Sequence, residues 1–177
     1  MTYTQHYDSP LGGILLAADE EGLTGLWFDG QKYFARTLPK EYAESETPVL
    51  CEAKRWLDIY FSGREPDFTP PLHPEGSAFQ QAVWALLLEI PYGETTTYGT
   101  LARKLAEKQG LTHMSAQAVG GAVGHNDISL IIPCHRVVGA SGSLTGYAGG
   151  VDKKIKLLEL ERADMKSFFV PKKGTAL

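Results

Sequence analysis

The sequence predicts an α+β protein in two parts, a small antiparallel sheet with a helix followed by a mainly helical body. Three observations carry this. Residues 1–30 alternate in polarity and break at turn residues, four prolines crowd positions 66–74, and beyond them apolar residues recur at helical spacing. A chain of 177 residues, 43% hydrophobic and 21% charged, is long enough to bury a core without metal or disulfide staples.

Taken in order, strands are expected at residues 2–7, 14–18 and 23–28, separated by the turn at 10–13 and the polar stretch 19–22. Leu50, Trp56, Leu57, Tyr60 and Phe61 then fall at roughly helical spacing over residues 48–61, which Ser62-Gly63 ends. Pro66, Pro70, Pro71 and Pro74 cannot join a helix interior or a central strand, so the stretch from 65 reads as a linker. Domains of 1–76 and 77–177 follow. Ser77 and Gln80 have capping-box spacing, and Phe79, Val83, Leu86, Leu87 and Ile90 share one helical face closed by Pro91-Tyr92-Gly93. A second helix should start at Thr96 or Thr97, with Leu101 and Leu105 inward, and stop near Gly110; a third opens at Ser115 and ends at Gly124. The pair fits a helix-turn-helix and equally a plain helical hairpin. The apolar run 128–132 suits a buried strand, residues 139–150 with five glycines read as turns and loop, and Val151, Ile155 and Leu158 define a last helix.

The formal charge of −4 argues against bulk attraction to a polyanion, yet it is an average. Residues 1–76 carry 6 Lys and Arg against 13 Asp and Glu, whereas residues 77–177 carry 11 against 8. An acidic front half joins a mildly basic back half. Cys51 and Cys134 stand far apart with no Cys-x-x-Cys spacing, which indicates neither a zinc site nor a disulfide framework. No signal-peptide pattern or membrane-length apolar run is present, so the expected setting is soluble, reducing and cytoplasmic.

Cys134 is the residue best placed for chemistry. A thiolate is the reactive form of cysteine, and His135 and Arg136 follow directly. Pro133 fixes its own φ and keeps Ile132 extended, ending the apolar run where the sulfur appears. A buried, inert packing cysteine fits the same residues. Glu161 sits on the side of the last helix that Leu158 helps to bury, near a C-terminus whose dipole disfavours an anion. It therefore pairs either with a histidine acting as base for the cysteine or with a surface cation.

The run Pro133-Cys134-His135-Arg136-Val137-Val138 follows Ala118-Val119-Gly120-Gly121-Ala122 and precedes both Gly146-Tyr147-Ala148-Gly149-Gly150 and Leu157-Leu158-Glu159-Leu160-Glu161. In this it resembles the O6-alkylguanine-DNA alkyltransferases, or methylated-DNA protein-cysteine methyltransferases, densely from Phe79 to Glu161 and more loosely before. The resemblance implies a ribonuclease-H-like N-terminal domain and a winged-helix-like C-terminal domain. It implies that Cys134 takes the alkyl group from O6 of guanine, and also from O4-methylthymine, once per molecule. His135 would act as base through a water, with Glu161 orienting it, Asn126 supporting the turn and Tyr98 donating to the leaving guanine. Tyr147, the Ala148 N–H and the Val137 carbonyl would line the base pocket. Arg136 is expected at the substrate, and Ala116, Gln117, Gly120 and Gly121 on a helix in the minor groove of double-stranded DNA. Neither metal, cofactor, membrane nor obligate protein partner is implied. Gln117 stands where many relatives carry arginine and Asp127 where proline is common, so both are expected to weaken attraction to DNA. Two rivals remain: a lesion-binding protein that flips the base without transfer, whose relatives lack the cysteine, and a thiol hydrolase that turns over.

Overall fold

The computed structural model describes residues 1–171 and divides into two compact units. The first comprises Met1–Glu75 with Asp127–Ile131, and the second Gly76–Asn126 with Ile132–Leu177. Lys172 and Lys173 lie outside the described residues. Among the described residues no helix is long and apolar enough to cross a membrane.

In the first unit, β1 (Tyr3–Ser9), β2 (Gly12–Ala18) and β3 (Leu23–Phe28) form the expected antiparallel meander. A short β4 (Ala43–Glu44) adds parallel to β1, giving the order β3-β2-β1-β4. Two residues are too few for a periodic signal, so sequence pattern did not reveal this strand. Helix α1 (Pro48–Phe61) begins as its sequence dictates: Thr47 caps it by accepting from Leu50 N–H, and Pro48 occupies the first turn where no donor is needed. Its buried face carries Leu50, Ala53, Trp56, Leu57 and Tyr60 and packs on β1, β2 and β3. Leu15, Ala17 and Trp27 form a separate buried cluster, which Ala35 and Leu38 cover. Both sides of β2 are thereby buried, which explains its unbroken apolar run.

The excursion Asp127–Ile131 is buried, as its composition predicts, but it is not a strand. It makes one isolated bridge, Ile128 beside Leu26, after which Leu130 turns to φ +70° and ends the extension. Asp127 also departs from expectation. Its carboxylate is 3% exposed and accepts from Arg36 Nη2 at 2.6 Å and Trp27 Nε1 at 3.2 Å. The charge is matched within the first unit and is not left open to repel DNA.

In the second unit, α2 (Ala78–Leu87) starts with a complete capping box between Ser77 and Gln80. Helix α3 (Tyr98–Lys108) is capped by Thr97, and α4 (Ala116–Gly124) by Ser115. A parallel pair, β5 (Thr96–Thr97) with β6 (Val137–Val138), brings the start of α3 beside the segment that follows Cys134. Helix α5 (Val151–Leu160) closes the unit, its Leu158 packing with Val138 and Leu144. Phe168 joins that cluster, and Leu144 N–H donates to the Phe169 carbonyl, so the chain after Asp164 packs on the unit through its described part.

Candidate active site

Cys134, His135 and Arg136 form one turn of 3-10 helix immediately before β6. The turn lets neighbouring side chains point inward together, which an extended chain would not, and all three are buried. Burial pushes the Cys134 thiol up from its ordinary value, while a hydrogen bond from Asn126 and the charge of Lys154 favour the thiolate. Asn126 Nδ2 also donates to the Ile132 carbonyl at 2.8 Å, tying the turn two residues ahead of the sulfur.

Glu161, at the C-cap of α5, is 2% exposed. Its Oε2 lies 2.5 Å from His135 Nε2, and its Oε1 accepts from Gly93 N–H at 3.0 Å. Gly93 has φ +81°, and a Cβ there would stand 3.0 Å from the Glu161 carbonyl oxygen, so glycine suits both the turn and the close approach. Of the two partners open to Glu161 in the sequence, the structure selects the histidine and adds a buried arginine. Arg136 Nε and Nη2 reach the two carboxylate oxygens at 2.8 and 3.2 Å, and Nη1 donates to the Ile90 carbonyl at 2.7 Å. Arg136 was expected at the substrate; its guanidinium is instead committed inside, where it braces the carboxylate. Burial opposes ionisation of Glu161, but the hydrogen bonds and charges of His135 and Arg136 hold its carboxyl far below the usual range. Burial likewise drives His135 toward its neutral form, against the pull of Glu161. A neutral imidazole fixed through Nε2 has Nδ1 as its remaining ring nitrogen for proton transfer.

Tyr98, the first residue of α3, is 5% exposed, and its hydroxyl donates to the Thr145 carbonyl at 3.3 Å. Burial raises its phenol well above the ordinary value, which keeps it a donor. Tyr147 is buried with its ring edge-on to His135, centroids 6.4 Å apart, and Ala148 is half-buried beside it. Sequence reasoning missed Lys154. It is fully buried, and its Nζ donates to the Val137 carbonyl at 2.5 Å and to the Thr145 carbonyl at 2.6 Å. The Val137 carbonyl, expected to face the guanine amine, is thus already engaged by one donor. Burial lowers the ammonium to about 8, partly offset by Cys134. A signal existed: Lys154 lies seven residues before Glu161, two helical turns along the same face.

On α4, Ala116 and Gln117 are exposed and Gly121, one turn after Gln117, is half-buried, whereas Gly120 faces the core. A Cβ at Gly121 would meet nothing within 4 Å. This outer face is therefore small-sided and open, while Val119, Ala122 and Val123 pack inward. Among the described residues no group of three or more His, Cys, Asp or Glu could hold a metal ion.

Comparison with known proteins places these groups in a lineage. Residues 2–74 match the ribonuclease-like domain of 6-O-methylguanine DNA methyltransferase, and residues 78–163 match its DNA binding domain. The chain belongs to the 6-O-methylguanine DNA methyltransferase family. Its relatives include the methylated-DNA–protein-cysteine methyltransferases of Haemophilus influenzae, 43% identical over 90% of this chain and 86% of that protein, and of Methanosarcina acetivorans, 46% identical over 90% and 97%. The crystal structure of the Mycobacterium tuberculosis OGT in complex with DNA superposes with TM-score 0.78 at 42% identity, covering 91% of this chain and 94% of that one. The α+β expectation, with a ribonuclease-like first domain and a DNA-binding second one, holds for this family member.

Proposed function

We propose that this methyltransferase-family protein repairs DNA by moving the alkyl group of O6-alkylguanine onto Cys134, once per molecule. The observation that carries the reading is the buried turn that holds Cys134 beside His135 and Arg136, with Glu161 bonded to both His135 and Arg136. An alkyl group inside a duplex is out of a sulfur's reach, so the nucleotide is flipped out toward Cys134, with α4 in the minor groove and Gln117 beside the vacated position. The cysteine proton passes through a water to His135, whose imidazolium Glu161 stabilises; the sulfur then forms its bond to the alkyl carbon as the carbon–O6 bond breaks. Charge left on guanine is met by the Tyr98 hydroxyl and the Ala148 N–H. A proton returns to the base, and Cys134 remains as a thioether. Lys154 holds the Val137 and Thr145 carbonyls in fixed relation. A reducing cytoplasm would keep Cys134 available as a thiol.

Incubation with a duplex containing O6-methylguanine, followed by peptide mass analysis, tests this directly. The expected result is one CH₂ increment on the Cys134 peptide at a one-to-one limit. Tight lesion binding with an unmodified protein would favour the lesion-binding rival, and continuing turnover the hydrolase.

A further inference from the structure

The excursion Asp127–Ile131 begins and ends at residues that matter to the nucleophile. Asn126 precedes it, Ile132 follows it, and the Asn126 side chain bonds the Ile132 carbonyl two residues before Cys134. The excursion itself belongs to the first unit. Leu26 N–H donates to the Asp127 carbonyl at 2.8 Å and Ser129 N–H to the Leu26 carbonyl at 3.1 Å, fixing its backbone against β3. The Asp127 carboxylate is then gripped by Arg36 and by the indole N–H of Trp27, at 2.6 and 3.2 Å. Trp27 lies in the sheet and Arg36 in the segment that covers it through Ala35 and Leu38. Leu130 keeps a left-handed backbone while fully buried, a conformation that persists only where surroundings over-determine it.

We propose that the clasp of Arg36 and Trp27 on Asp127 is a positioning device for alkyl transfer. Through the chain alone, it fixes both ends of the excursion, and so the Asn126–Ile132 tie that sets the Cys134 turn. The inference rests on Cys134 being the alkyl acceptor, and it gives the acidic front unit a part in the chemistry. Asp127 is buried and Arg36 exposed, so losing Arg36 leaves a buried carboxylate without its counter-charge, and losing the Asp127 charge removes the ion pair that holds it; either single change should loosen the excursion.

The test uses full-length Asp127→Asn, Arg36→Leu and the double variant with an O6-methylguanine duplex. Three quantities are measured: the first-order transfer constant at saturating DNA, the duplex Kd, and amide hydrogen exchange over residues 126–134. Each single variant should slow transfer about tenfold, as expected of a small misplacement of reacting groups. Kd should stay within about twofold, a loss confined to the reacting state. The double variant should be no slower than the slower single one, because the partners act as one unit. Exchange should quicken over 126–134, and Arg36→Lys should recover most of the rate. A weaker Kd in Arg36→Leu, with transfer and exchange unchanged in Asp127→Asn, would overturn the proposal by making Arg36 a mere charge toward DNA. Quickened exchange spread over the whole chain would also count against it, showing general support of the fold. Should the wild-type protein fail to transfer, the acceptor reading falls, and exchange alone decides the clasp.

Discussion

Glu161 accepts from His135, Arg136 and Gly93 at once, and this sets both its ionisation and its use. Its folded-state carboxyl lies far below the ordinary glutamate value, so it binds a proton less readily folded than unfolded. The stability it contributes is complete above the unfolded value and is lost as pH falls from there toward the folded one. The wild-type protein's stability to denaturant should therefore fall as pH drops from about 5 to about 3, and Glu161→Gln should show a flatter dependence there. At pH 7 the Gln variant leaves Arg136 without its counter-charge, at a cost of about 3–5 kcal/mol. It should also slow transfer about 100-fold, the lower range for losing acid–base assistance, with DNA binding changed far less. Glu161→Asp, which keeps the charge, separates a folding defect from a chemical one. Equal losses in transfer and DNA binding for that variant would make Glu161 a structural residue only.

Helix α4 shows how an element can be built for two surfaces. Its inner face, Val119, Ala122 and Val123, is ordinary core, yet its outer side has an open position at Gly121 where the fold itself demands no glycine. Gly121→Ala should stabilise the free protein by about 0.5–1 kcal/mol from helix propensity, read by denaturation. If the glycine serves close approach to a nucleic-acid backbone, the same variant should bind duplex more weakly; unchanged affinity would place the DNA elsewhere. Legibility differed between elements for physical reasons. The meander, α1 and α2 were readable because periodicity, turn residues and caps agreed. Strands β4 and β5 were not, since two-residue pairs depend on partners remote in sequence. The run 128–132 was read as a strand because burial and extension leave the same apolar pattern, and only Leu130 φ tells them apart. Within the candidate site, the structure brings together Cys134, His135 and Glu161, which the sequence singles out. Sequence reasoning misplaced Arg136 and passed over Lys154, because a charged side chain in a sequence signals solvent unless its buried partners are known.

At the scale of the whole chain, the charge of −4 divides into −7 over residues 1–76 and +3 over residues 77–177. The structure reduces what the positive half can offer. Arg136 and Lys154 are buried and spend their donors on Glu161, Ile90, Val137 and Thr145. Lys108 pairs with Glu89 on the surface, and the outer face of α4 offers Gln117 where a cation would attract phosphate. With these three of the eleven cations committed and no cation on the outer face of α4, fewer are left for counterion release than the formal count gives. Recognition under the proposed reading therefore depends more on groove fit and on capture of the flipped nucleotide. Plotting log Kobs for duplex binding against log salt should accordingly give a shallow slope of roughly −3, equivalent to about three phosphate contacts. Gln117→Arg should steepen it by about one contact, provided the helix lies along the duplex as proposed. A wild-type slope near roughly −8 would show bulk attraction in command. An unchanged slope in Gln117→Arg would take this face of α4 off the DNA, because an added cation within reach of phosphate releases a counterion wherever the protein binds the duplex through that face.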